Sequence, residues 1–244
     1  MLRAASEGRG GMSTAARLPL CPADRSAEPQ CSPAVPEGVE ALILDFDGVL
    51  ADTVGRHEAA LRAALQPYGV DLDTGWYSQH VGLSIHDLLA ALPGGRSLPH
   101  DEIVQRSRGH LLASVHTITP IPCVVVLLEQ ARRAGVPCAV ASGASRLLVD
   151  PGLDALGLNE AFAAVVRRED VVHGKPDPEL FLTAARRLGV APDRCLAVDD
   201  APDGIASARA AGMQVITVAG GHLTSVGEQS AQPVASRLQT EPIR

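Results

Sequence analysis

LILDFDGVLADT, residues 42–53, runs an apolar stretch into Asp45 and Asp47, then continues through a glycine, more apolar residues, a third aspartate and Thr53. The apolar continuity of ALILDF (41–46) is that of a strand buried on both faces. An unpaired buried carboxylate is costly, so the two acids mark the place where the strand leaves the core. Residues two apart on a strand face the same side, which makes Asp45 and Asp47 candidates to act together.

Outward from this stretch the pattern alternates. VVVLLEQARRAG (124–135) reads as a helix stopped by Gly135, PCAVAS (137–142) as a strand, and AFAAVV (161–166) as a short strand. PELFLTAARRLG (178–189) is a helix opened by Pro178 and closed by Gly189. CLAVDD (195–200), DGIASARAAG (203–212) and QVITV (214–218) follow as strand, helix and strand, with Asp203 expected to cap the helix. Such alternation predicts an α/β fold with a Rossmann-like parallel sheet.

Residues 55–117 break the pattern. HEAALRAALQPYG, SIHDLLAAL and HDEIVQRSRGHLLASV offer helical periodicity only, and Pro120 with Pro122 stiffens the return to the core. This block reads as a helical cap inserted after the first strand. The expected organisation is a leader at 1–38 too poor in large apolar residues to order, a core at 39–54 and 118–222, the cap at 55–117, and a loose tail at 223–244.

Composition limits the function classes. A net charge of −7 argues against nucleic acid or anionic membrane as a general partner. No apolar run reaches the roughly 20 residues a bilayer requires, and the N-terminus lacks an apolar signal-peptide region. Five cysteines without CxxC spacing suit free thiols in a reducing compartment, with the cytoplasm the default expectation. Of 21 basic residues only one, Lys175, is lysine.

Ligands of open parallel sheets bind beyond the carboxyl ends of the strands. Three strands here end on polar groups: Asp45 with Asp47, Ser142, and Asp199 with Asp200; a loop carries Lys175. Acids gathered at one point repel unless a cation compensates. An all-oxygen set favours Mg²⁺ over zinc, and such a site suits a phosphate.

The segments DFDGVLADT, VASGAS, GKPDPELF and VDDAPDGIASARAAGM, in this order over residues 41–220, resemble the four motifs of the haloacid dehalogenase superfamily, and the insertion is similar to its helical cap. The nearest likeness is to its phosphatase and β-phosphoglucomutase-like branch. The resemblance implies a Mg²⁺-dependent hydrolase of a small phosphorylated substrate, monomeric or weakly oligomeric. Asp45 would be the nucleophile, forming an aspartyl-phosphate and holding the metal. Asp47 would be the general acid and base, with its backbone carbonyl on the metal. Ser142 and the Gly143 N–H would hold phosphate oxygens, Lys175 would steady nucleophile and phosphoryl group, and Asp200 with Asp199 would complete the metal shell.

Thr53 sits at the hinge into the cap. His57, four residues on, matches a histidine of the family's sugar-phosphate mutases; both are candidates to bind substrate, and His57 also to help place the acid/base. Asp47 favours a phosphatase over a dehalogenase, since an alkoxide leaving group needs a proton and a halide does not. Against a mutase, Ile85 stands where such an enzyme would show an arginine for a second phosphate. A catalytically silent relative is the remaining alternative, weakened by the presence of Asp45, Asp47, Lys175 and Asp200 together.

Overall fold

The computed structural model describes residues 33–80 and 85–226. Its centre is a six-stranded sheet in the order β3-β2-β1-β4-β5-β6. The strands are β1 (Ala41–Leu44), β2 (Cys138–Ala141), β3 (Ala164–Val166), β4 (Cys195–Val198), β5 (Gln214–Ala219) and β6 (His222–Ser225). All pairs are parallel except β5 with β6. β1 lies at the centre, with Leu44 beside Val140 of β2 and Val198 of β4.

Alternation along β1 divides the core. Leu42 and Leu44 join a cluster with Val124, Leu127 and Leu128 on one face, whereas Ala41 and Ile43 join Leu180, Phe181 and Ala184 on the other. The helices responsible are α5 (Pro122–Arg133), with proline at its first position, and α7 (Glu179–Leu188), which ends at Gly189 in the left-handed conformation, φ 71°. α6 (Arg146–Leu156) and α8 (Pro202–Ala210) complete the layers.

Between β1 and α5 stand four helices: α1 (Val54–Leu65), α2 (Thr74–His80), α3 (Ile85–Ala91) and α4 (His100–Ala113). They share a separate apolar cluster of Leu61, Leu65, Leu72, Tyr77, Leu89 and Ile103. Arg56 ties the two connections to the core together, donating to Thr117 Oγ1 at 2.7 Å and to the Thr117 carbonyl at 2.5 Å.

Several expectations are corrected. The first strand stops at Leu44, so Asp45 and Asp47 lie in the turn after it and not on the strand. The tail does not begin at 223: His222–Ser225 is an edge strand, and Leu223 is fully buried. The physical reason is Gly220-Gly221, both at positive φ, which makes the two-residue hairpin loop that joins Ala219 to His222. The end of the expected leader also packs, with Pro33 and Pro36 buried and Val35 against the core; residues 1–32 and 227–244 lie outside the described residues. Two helices were not anticipated. α6 carries Pro151, which removes a backbone donor from its interior, and α2 is only seven residues long. α8 starts at Pro202 with Ala201 as its cap residue, so Asp203 does not cap it. No helix among the described residues is long and apolar enough to cross a membrane.

Candidate active site

The site forms where β1, β2 and β4 end. The Asp45 N–H donates to the Val198 carbonyl at 2.9 Å, which fixes the chain just past β1 against β4. Carboxylate oxygens of Asp45, Asp199 and Asp200 can be chosen that all lie within 4.8 Å of one another. Positions 155 residues apart in sequence are thus brought together by the neighbouring strands β1 and β4, which pair in register.

Lys175 enters beneath them. Its Nζ donates to Asp199 Oδ2 at 2.6 Å and lies 2.9 Å from Asp45 Oδ1. The two oxygens of Asp199 are both engaged, the second by the Ala201 N–H at 3.1 Å, and Asp199 is wholly buried. Asp199 therefore orients Lys175, and Asp200 is the acid of the pair that lines the cavity. Two glycines make this fit possible: a Cβ at Gly204 would collide with the Asp199 carboxylate, and one at Gly48, φ 68°, with that of Asp200.

Asp47 forms a second cluster. Its Oδ1 accepts from the Thr53 hydroxyl at 2.8 Å and lies 2.9 Å from His57 Nε2, while Thr53 Oγ1 in turn accepts from the Gly48 N–H at 3.2 Å. The structure thus brings Thr53 and His57 onto the acid/base candidate, and both also line the cavity shared with Asp45 and Gly143. Ser142 is buried, its hydroxyl accepting from the Ala144 N–H at 3.1 Å; Gly143, Ala144 and Ser145 form the adjoining rim of the cavity.

Charge is unevenly shared. The Asp45 carboxyl is pushed up to about 8: burial raises it most, Lys175 opposes this, and Asp199, Asp200 and Asp47 add to it. Burial and Asp199 likewise raise Asp200 to about 7. Burial disfavours the Lys175 ammonium, but Asp199 and Asp45 more than reverse this and hold it charged. For Asp47, burial raises the pKa, yet His57 and Thr53 carry the net shift downward. One ammonium, 2.9 Å from Asp45 Oδ1 and 2.6 Å from Asp199 Oδ2, does not balance this many acids. An all-oxygen, acid-rich cluster left short of positive charge fits a hard divalent cation such as Mg²⁺.

The cavity above these groups measures about 390 Å³. Asp45, Asp47 and Asp200 form its floor. Leu61, Tyr77, Leu88 and Leu111 line it from the helical insertion, together with Ser107 and Arg108 of α4. Ser107 and Arg108 were missed in the sequence; only the helical spacing of HDEIVQRSRGHLLASV could have shown them, and it does not say which face meets the core. Tyr77 both packs in the helical cluster and faces the cavity, whereas its neighbour Trp76 stacks on His80. Cys123, Cys138 and Cys195 are free and buried, and Cys21 and Cys31 lie outside the described residues.

Comparison with known proteins gives the family. Residues 39–212 match the haloacid dehalogenase-like hydrolases. The chain is 35% identical to the fructose-1-phosphate phosphatase YqaB of Escherichia coli (strain K12), over 75% of this chain and 97% of that protein. It is 28% identical to the β-phosphoglucomutase of Bacillus subtilis (strain 168), over 75% of this chain and 84% of that protein. Among solved structures it resembles CbbY from Rhodobacter sphaeroides in complex with phosphate, with a TM-score of 0.66 and 27% identity, over 75% of this chain and 87% of that one. The chain belongs to the haloacid dehalogenase-like hydrolase family, and is a phosphatase of the branch that also holds the β-phosphoglucomutases.

Proposed function

We propose that the protein is a Mg²⁺-dependent phosphomonoesterase of a small phosphorylated metabolite, working through an aspartyl-phosphate. The observation that carries this reading is the grouping of Asp45 with Lys175 and Asp200, beside a separately held Asp47. Asp45 attacks phosphorus, with the Lys175 ammonium 2.9 Å from its Oδ1. Lys175, fixed by Asp199, holds positive charge against the nucleophile and the transferring group. Asp47 passes to the leaving alkoxide a proton drawn from His57, whose Nε2 lies 2.9 Å from its Oδ1, then takes one from the attacking water and so restores the pair. Its hydrogen bonds to Thr53 and His57 keep the carboxyl aimed through both steps. Ser142 and the Gly143 N–H sit at the end of β2 to hold phosphate oxygens. Asp45, Asp200 and the Asp47 carbonyl would hold Mg²⁺, which supplies charge neutralisation for the phosphoryl group.

The cavity, of a size common for small-molecule sites, supports a sugar-phosphate-sized substrate, and the Escherichia coli relative's name points the same way. Phosphate release from a panel of phosphorylated metabolites with Mg²⁺ tests the reading, with Asp45→Asn as the control. Isomerised product without free phosphate would instead make the protein a mutase, as the Bacillus subtilis relative is named.

A further inference from the structure

We infer that Arg108 selects substrates carrying a second anionic group at the end remote from the scissile phosphate. The inference rests on the phosphatase reading and concerns the opposite wall of the same cavity. Val104, Ser107, Arg108 and Leu111 all line that wall, a spacing of three, four and seven that defines one face of α4. Arg108 therefore belongs to the cavity stripe and not to the solvent face, where Arg106 pairs with Glu102 at 3.0 Å.

Arg108 is half-buried and has no ion pair or hydrogen bond among the described residues. The four residues outside the description between α2 and α3, Val81, Gly82, Leu83 and Ser84, include no carboxylate. Much of its surroundings in the cavity is apolar, including Leu61, Leu88, Val104 and Leu111. A half-buried guanidinium that lines the cavity without a partner among the described residues is free to take a carboxylate or phosphate of a ligand as a bidentate partner. Ile85 also lines the cavity, so the position expected to hold such a cation is neutral while a different helix supplies one. On the far rim, Ser145 Oγ is buried without a hydrogen-bond partner among the described residues and offers a further polar contact to the same ligand.

The test uses the full chain with Mg²⁺ and two matched pairs: 2-phosphoglycolate against 2-hydroxyethyl phosphate, and fructose 1,6-bisphosphate against fructose 1-phosphate. The expected result is a higher kcat/KM for the anion-bearing member of at least one pair. Arg108→Ala should lower that ratio by about tenfold or more, and Arg108→Lys should restore part of it. Which pair responds tells carboxylate from phosphate. An unchanged ratio in Arg108→Ala, or no preference in the wild type, overturns the inference. Should the wild type release no phosphate from any of the four, the phosphatase reading fails. Calorimetric binding of the same compounds then decides Arg108: tighter binding of an anion-bearing member that Arg108→Ala erases supports it, and equal binding overturns it.

Discussion

The floor and the wall of the cavity are built on opposite plans. On the floor, almost every polar atom is spoken for: Lys175 bridges Asp199 and Asp45, Ala201 holds Asp199, and Thr53 with His57 holds Asp47. On the wall, apolar side chains accompany Arg108, a cation with no ion pair or hydrogen bond among the described residues. The floor is fixed by strand register and glycine clearances, so its groups cannot move without loss. The wall sits on helices with their own core, joined to the sheet through connections clasped by Arg56. On the proposed reading, reaction chemistry belongs to the half fixed by the sheet, and substrate choice to the half that a different helical sequence could rebuild without disturbing the sheet.

The sharpest break of this contrast is at Asp45. Asp45→Asn should lower turnover by on the order of 10⁴-fold or more, the scale of losing a covalent nucleophile. Because burial and three neighbouring acids raise the Asp45 pKa, its charge opposes folding in the metal-free chain. The same variant should therefore melt at or above the wild-type temperature without metal, which calorimetry would show. A large drop in melting temperature would mean that Asp45 is a structural ion-pair partner first.

Asp47→Asn comes next, with a loss of roughly 10²- to 10⁴-fold on alkyl phosphates. The loss should shrink with p-nitrophenyl phosphate, whose leaving group needs no proton, when formation of the intermediate is followed by stopped flow. An equal effect on both leaving groups would assign the proton to some other residue.

Metal binding sharpens the comparison without using activity. Mg²⁺ at about 100 times its Kd should stabilise the fold by about 2.7 kcal/mol. Asp200→Asn should remove most of the rise in melting temperature, whereas Arg108→Ala should leave it in place. A wild-type melting temperature indifferent to Mg²⁺ would contradict the metal assignment on the floor.

The smallest effect concerns the Asp47–His57 pair. Burial lowers the His57 pKa but Asp47 reverses this, so the folded value lies above 6.5. A raised histidine contributes stability that is fully present below 6.5 and is lost as pH rises through the folded value. Asp47 is shifted below 3.8, so its contribution is present above 3.8 and is lost as pH falls through the lower folded value. Urea midpoints of the wild type and His57→Ala should therefore differ most near pH 5 and converge toward pH 9. A difference that grows with pH would reverse the sign.

Much of the floor was readable in the sequence because backbone rules bind it. A buried parallel strand must end before a charge, and a glycine must stand where a carboxylate crowds the chain, as Gly48 does against Asp200. A single lysine in a chain of arginines pointed to Lys175 for the same reason: the slot between Asp45 and Asp199 admits a compact ammonium. The pairing of Thr53 and His57 with Asp47 was only half legible. The family resemblance linked His57 to Thr53 and the acid/base, but which oxygen each faces depends on the turn at 45–51, and that turn is set by backbone bonds from Leu50 and Ala51 to the Phe46 carbonyl. Arg108 was not legible at all. A helical stripe such as Val104, Ser107, Arg108 and Leu111 shows that one face is shared, not whether it meets core, solvent or substrate. The edge strand β6 was missed for a plainer reason: its polar, alternating HLTS resembles a tail unless Gly220-Gly221 is read as a hairpin loop.

The covalent step is the centre of the account, and it can be caught directly. Asp47→Asn, mixed with Mg²⁺ and p-nitrophenyl phosphate, should still form the intermediate while hydrolysing it slowly. Acid quenching and peptide mass spectrometry should then find a phosphoryl group on the peptide that contains Asp45, and none after Asp45→Asn is added to the variant. A phosphoryl group on any other residue, or p-nitrophenol release at the variant's full rate with Asp45 unmodified throughout, would contradict it.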